Sequence, residues 1–220
     1  MKLSKQIPLY QFDDSFRRVI LSSPTSDTEL EDQFYKRKSI RQFDETELSK
    51  DLLGELFEPL RQIRTKERVK RLFGSAGGLY PVQIYVYLKA NRLRDFEGGA
   101  YYYDSDHHEL VHLSDGDDIK ADLYNPLVNV PIFESSSFAI YLFAGMDAIE
   151  PIYGAHSERY TSIEAGLITQ ILETNGPKLG IGICQVGELE VEKLKPSFQL
   201  NDRHRFVHSL LGGPLPNHSA

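Results

Sequence analysis

The 220-residue chain has a single cysteine, Cys184, and no tryptophan. One thiol excludes an internal disulfide framework and any zinc site built on several cysteines. No window approaches the roughly 18 apolar residues of a membrane-spanning helix. Cations are scarce as well. The chain has 25 Lys and Arg against 32 Asp and Glu, a net charge of −7. That balance argues against nucleic acid or an anionic membrane as a general partner, while leaving room for a local anion site. Neither a Gly-x-Ser-x-Gly elbow nor a P-loop is present. Met1–Gln6 is cationic but no apolar run follows it, so it does not read as a signal peptide, and a cytoplasmic protein is expected. Apolar content is ample: 40% hydrophobic residues with 12 Phe and 12 Tyr give enough surface to bury a sizeable core, which excludes whole-chain disorder.

Residues 1–33 read as an arm, with short apolar pieces at Ile7–Phe12 and Val19–Leu21 followed by the turn-forming Ser22–Asp27. Residues 34–220 read as one domain. A helix is expected over about Glu29–Lys38. A second is N-capped by Ser49, with Leu52, Leu53, Leu56, Phe57 and Leu60 on one face. Val82, Ile84, Val86 and Leu88 alternate with more polar residues at the period of a strand. Gly99–Tyr103 and Leu110–Leu113 flank Asp104–Asp106 as a hairpin. Ser137–Ala144 is a continuous apolar strand suited to a sheet centre. Arg205–Leu211 reads as the last strand, closed by Gly212-Gly213-Pro214. Between these two strands lies the longest helix. Its start is marked by a capping box at Thr161–Glu164, and Ile163, Leu167, Ile168, Ile171 and Leu172 form its apolar stripe. Gly176-Pro177 ends or kinks it. Helices and strands alternate without a regular βαβ period, which favours an α+β fold.

Four segments carry chemistry. Arg37-Lys38-Ser39-Ile40-Arg41 places three cations and a hydroxyl within five residues. An Arg fork binds phosphate bidentately, but cations also complement a helix C-terminus, and both readings stand. Gly74–Pro81 lets backbone approach a flat ligand closely, or is simply a flexible loop. Gly180–Gly187 resembles a dinucleotide fingerprint only superficially, because its third Gly comes too late for G-x-G-x-x-G. Cys184 within it reads as a small core residue rather than a nucleophile. In Glu150–Gly154 the Tyr153 phenol sits on a constrained loop and can relay a proton, or else only packs. Glu164 reads most simply as completing the capping box. His108 and His112 are four apart on a strand, which is poor geometry for a metal, and no metal site is expected.

Taken in order, these segments resemble the FMN-dependent nitroreductase-like family. More narrowly they resemble its azoline oxidase branch, the thiazoline and oxazoline oxidase domains of nonribosomal peptide synthetases. The resemblance is carried by Arg37–Phe43, Ser75–Gln83, Gly98–Tyr103, Ile149–Gly154, Ile163–Gly166 with Gln170, and Leu179–Gly187, and runs from about Phe34 to Gly213. It implies a central mixed or antiparallel sheet flanked by helices, and a homodimer with FMN at the subunit interface. It assigns cofactor contacts to Arg37, Lys38, Ser39, Arg41, Ser75, Ala76, Gly77, Gly78, Leu79, Gln83, Glu164 and Gly182. Tyr153 would be the proton acceptor, assisted by Arg159, and Tyr80 would shape the substrate wall. The reaction implied is oxidation of a carrier-protein-bound thiazoline or oxazoline to the aromatic ring, with O2 as the terminal acceptor. An NAD(P)H-dependent nitro- or quinone reductase and a non-catalytic dimeric docking subunit are the competing readings. The chain departs from the family pattern at Ile152, where related oxidases carry Lys. It also has Gly74 for Pro and Ile163 for Leu, and no Lys or Arg over Gly212–Ala220. Phosphate binding then falls on Arg37 and Arg41. A basic stretch at Arg61–Arg71 is the expected docking place for an acidic carrier protein.

Overall fold

A computed structural model describes residues 15–21, 28–66 and 69–216. The Ile7–Phe12 and Ser22–Asp27 pieces lie outside these residues, and Val19–Leu21 is exposed without regular structure. Helix α1 spans Thr28–Lys36, and strand β1 (Leu48–Ser49) leads into α2 (Lys50–Phe57). A short ribbon of β2 (Ile63–Arg64) and β3 (Val69–Lys70) precedes β4 (Val82–Leu88). β5 (Leu93–Arg94), β6 (Gly99–Asp104), β7 (Glu109–Ser114), α3 (Val130–Ser135) and β8 (Phe138–Gly145) follow. Then come α4 (Met146–Tyr153), α5 (Ser157–Asn175), β9 (Ile181–Val186) and β10 (His204–Pro214).

The main sheet has six strands in the order β7-β6-β4-β8-β10-β9, every pairing antiparallel. The alternation along β4 decides its two faces. Val82, Ile84 and Val86 join Leu53, Leu56, Ile168 and Leu172 in a core under α2 and α5. Tyr85 points the other way, onto Phe143, Phe198 and Tyr141, where α3 and residues 191–200 cover the sheet. β8 is buried along nearly its whole length, as its unbroken apolar run requires at a sheet centre.

Three expectations are corrected. First, α1 stops at Lys36, not Lys38. Beyond it the backbone turns onto the sheet edge, where Ile40 N–H donates to the Ile183 carbonyl (3.0 Å) and Asp44 N–H to that of Pro214 (3.1 Å). Pairing along an open strand edge outcompetes further helix. Second, Gly212-Gly213-Pro214 continues β10 rather than closing it. Its glycines are needed for close packing: a Cβ at Gly212 would lie 2.2 Å from Phe138 Cζ. Third, α5 begins at Ser157, so Thr161 is interior and its hydroxyl bonds back to the Glu158 carbonyl (3.0 Å). The buried face of α5 is Thr161, Glu164, Ala165, Ile168 and Leu172, whereas Ile163 and Leu167 of the expected stripe are exposed. The Ser49 cap is as expected, its hydroxyl accepting from Leu52 N–H (3.2 Å), as are the 99–104/109–114 hairpin and the break at Gly176.

Gly212→Ala forces a methyl into the Phe138 ring and should cost about 2–3 kcal/mol. The measurement is urea unfolding, and an unchanged midpoint would count against this packing.

Candidate functional site

Gly74–Pro81 is held to the body of the protein by one buried carboxylate. The turn Ala76–Gly78 places Gly77 and Gly78 at φ +61° and +68°, a region that favours glycine. Ser75 Oγ accepts from Tyr80 N–H (2.9 Å), closing the loop on itself. Glu164, only 2% exposed, accepts from Val82 N–H (3.1 Å) and hydrogen-bonds the Ser75 side chain. Glu164 therefore does not complete a capping box; it ties α5 to the start of β4. Burial pushes its pKa up, against the lowering effects of Ser75, Val82 N–H and Arg71.

Tyr153 is the last residue of α4 rather than a loop residue, and Gly154 follows at φ +48°. Its hydroxyl lies 3.0 Å from where a Cβ on Gly77 would stand. Its ring meets Tyr160 edge-on at 4.9 Å, and Ala76, Leu79, Tyr153 and Tyr160 pack together on Met146 and Ile149. Two segments far apart in sequence, 75–79 and 153, thus form one wall. Arg159 is exposed on the first turn of α5 and makes no ion pair among the described residues.

Arg37–Arg41 lies at the other end of α5. Arg37 N–H donates to the Gln33 carbonyl (3.0 Å), so Arg37 sits at the C-terminus of α1 beside Lys36, which pairs with Asp32 (2.5 Å), whereas Lys38–Arg41 has no regular structure. Gly182 lets it pack closely, since a Cβ there would lie 2.7 Å from Ile40. Arg37, Lys38 and Arg41 are exposed and have no ion-pair partner among the described residues; Ser39 is half-buried. Arg37 lines a cavity of about 260 Å3 with Gln33, Gln170, Glu173 and Lys178. A second cavity, about 250 Å3, shares Gln170 and is lined by Gly166, Thr169, Gln185 and His208. Thr169 Oγ1 is buried there without a hydrogen-bond partner among the described residues. His208 Nε2 contacts Gln185 Oε1 at 2.9 Å, and burial lowers the His208 pKa.

Thr169, Gln185, His208 and Tyr160 were not singled out from the sequence. The small residues Ala165, Gly166 and Thr169, at positions i, i+1 and i+4, were the available signal for a helix face left open to a ligand. Gln83 is not brought to this groove: it accepts from the Tyr85 hydroxyl (2.8 Å) on the sheet face away from α5. Cys184 packs in the core with Ile40 and Leu211, its pKa raised by burial, which suits a structural thiol. His108 and His112 diverge, the first bonding the Tyr103 hydroxyl (2.9 Å) and the second facing Asp115 (3.6 Å).

A model of the nitroreductase family matches residues 35–213. An indigoidine synthase of Dickeya dadantii is 27% identical over 169 residues, covering 76% of this chain and 10% of that protein, so the chain spans about a tenth of that relative's length. Among solved structures, the Escherichia coli microcin synthetase McbBCD complex with truncated pro-MccB17 bound superposes with a TM-score of 0.73 at 15% identity, covering 98% of this chain and 80% of that one. A nitroreductase of Desulfovibrio desulfuricans in complex with FMN superposes with a TM-score of 0.55 at 15% identity, covering 89% and 91%. At these identities the structural likeness is one of fold.

Because its native pKa is raised, the Glu164 proton is bound more tightly in the folded than in the unfolded chain. That contribution is fully present below the ordinary glutamate pKa and is lost as pH rises through the native value. Glu164→Gln keeps an acceptor for Val82 N–H and removes the titration. Wild type should therefore lose stability relative to the variant as pH rises above the ordinary glutamate pKa, about 4. Parallel stability profiles from urea midpoints would show that Glu164 titrates as in the unfolded chain.

Proposed function

This chain belongs to the nitroreductase family, and from that premise we propose that it is an FMN-dependent oxidase that aromatises a carrier-protein-bound thiazoline or oxazoline. The residues fit the cofactor on three counts. Among the described residues Arg37, Lys38 and Arg41 have no ion-pair partner and the buried Thr169 Oγ1 no hydrogen-bond partner, and Ser75–Gly78 presents small residues at a wall. The observation that carries the oxidase reading is the Tyr153 phenol lodged against Gly77, a proton carrier at the wall where a ring would lie. The fold likeness to a microcin synthetase complex solved with its pro-peptide bound, and the sequence likeness to an indigoidine synthase, support a biosynthetic substrate.

Aromatisation takes two electrons and two protons from the dihydro ring. FMN supplies the two-electron acceptor, which O2 restores with release of hydrogen peroxide. The chain does the rest. Arg37 and Arg41 hold the phosphate by charge-assisted forks, with Lys38 and Ser39 beside them. Gly182 lets that segment lie flat on β9. Ser75, Ala76, Gly77, Gly78 and Leu79 form the wall against the flat cofactor, and Glu164 positions it through Val82 and Ser75. Tyr153 takes or relays the ring proton that the adjacent C=N and carbonyl acidify. With Ile152 where related oxidases carry Lys, Arg159 is the cation assigned to help the phenol lose its own proton. Tyr80 shapes the substrate side. Ile152 (62% exposed), Ile163 (52%) and Leu167 (39%) beside Tyr153 and Glu164 leave an apolar face that a second copy of the chain covers in a homodimer.

The test begins with the absorption spectrum of the purified protein and identification of the released cofactor. Flavin absorbance with FMN released is expected, together with oxygen consumption on a carrier-bound thiazoline without NAD(P)H. Tyr153→Phe should retain FMN and lose turnover by about 100-fold or more. The paired substitution Arg37→Ala/Arg41→Ala should weaken FMN binding by about tenfold or more. Full turnover in Tyr153→Phe removes the phenol from the reaction, and bleaching by NADPH without thiazoline oxidation assigns the chain to the nitro- and quinone reductases instead.

A further inference from the structure

Charge on the segment between α2 and the Gly74–Pro81 loop runs against that of the whole chain. Residues 61–71 hold six cations (Arg61, Arg64, Lys66, Arg68, Lys70 and Arg71) against one carboxylate, Glu67, within a chain of net charge −7. β2 and β3 pair here as an antiparallel ribbon, with Ile63 opposite Lys70 and Arg64 opposite Val69. Ile63 is 53% exposed and Leu72, just beyond β3, is 75% exposed. Arg61 pairs with Glu58 (3.0 Å) and Arg64 with Asp106, whereas Lys66 and Lys70 are exposed without an ion-pair partner among the described residues. Exposed apolar groups bordered by unspent positive charge have the make-up of a protein-docking patch for an acidic surface.

The ribbon is also joined to the site. Arg71 lies over the Tyr80 ring (4.7 Å to its centroid) and donates to Gln62 Oε1 (3.2 Å). Tyr80 N–H in turn donates to Ser75 Oγ, which Glu164 holds. Whatever seats on the ribbon is thus two residue contacts from the wall that carries Gly77 and faces Tyr153.

We propose that this ribbon docks an acidic carrier domain, through Lys66 and Lys70 at the rim and Ile63 and Leu72 beneath, and so presents the tethered ring to the Ser75–Leu79 loop. The inference rests on the carrier-bound substrate proposed above. The exposed Ile63 and Leu72 favour a protein over nucleic acid, whose binding is dominated by phosphate contacts.

The decisive comparison uses the FMN-loaded full chain, wild type against Lys66→Glu/Lys70→Glu, with Lys66→Arg/Lys70→Arg as the conservative control. The probe is an acidic acyl carrier protein whose phosphopantetheine bears 2-methylthiazoline-4-carboxylate. Its small counterpart is the N-acetylcysteamine thioester of the same acid. Carrier binding by fluorescence anisotropy should weaken about tenfold or more in the Glu variant, as should kcat/KM on the carrier-borne substrate. The Arg control should match wild type, and kcat/KM on the thioester should change less than about twofold. Equal carrier affinity in all three proteins overturns the proposal, as does equal loss on both substrates. Tighter binding of wild type to tRNA or to phosphatidylserine vesicles than to the carrier would also overturn it. Binding is read separately from turnover: if neither thiazoline is oxidised, the functional reading fails while the docking result still stands or falls on affinity.

Discussion

Glu164 projects into a core otherwise filled by Ala165, Ile168 and Leu172, where a carboxylate is retained only if hydrogen bonds offset its lost hydration. The Val82 N–H and the Ser75 side chain provide those bonds. The same bonds set where the glycine-rich turn stands relative to α5. From that joint follow the position of Gly77, the seat of the Tyr153 hydroxyl against it, and the edge-on packing of Tyr160. A buried polar group of this kind specifies one arrangement even though burial raises its pKa and ionisation there costs stability.

Helix α5 sets the scale of the site. Glu164 and Glu173 are nine residues apart along it, about 14 Å at 1.5 Å per residue. One end meets the 75–79 wall and the other meets Arg37. Between them the small side chains of Ala165, Gly166 and Thr169 leave a groove against β9 and β10. A long flat cofactor with an anionic tail suits a groove of this shape, with small residues at one end and exposed cations at the other.

Much of the fold was legible in the sequence because the signal was local. Period-two alternation marked β4, an unbroken apolar run marked β8, and the Ser49 hydroxyl marked the start of α2. Misreadings arose where a distant element overrode a local preference. Thr161–Glu164 has capping-box spacing, yet α5 continues a full turn upstream and its Glu serves Val82. Gly212-Gly213-Pro214 looks like a terminator, yet it is strand because Phe138 needs the space above Gly212. Ile163 and Leu167 fit the helical stripe by spacing, yet they lie on the face turned away from the sheet.

The residue types that can bind an anion, line a flat ring or carry a proton were fixed by Arg37–Arg41, Ser75–Leu79 and Tyr153 as local motifs, readable without a fold. Their spatial relation was not. Only the tertiary structure decided that Tyr153 stands against Gly77, that Gln83 turns to the opposite sheet face, and that Thr169, Gln185 and His208 join the groove. The physical reason is range: propensity and periodicity act over a few residues, whereas the contact between Glu164 and Val82 spans 82 positions and exists only once the sheet has assembled beneath α5.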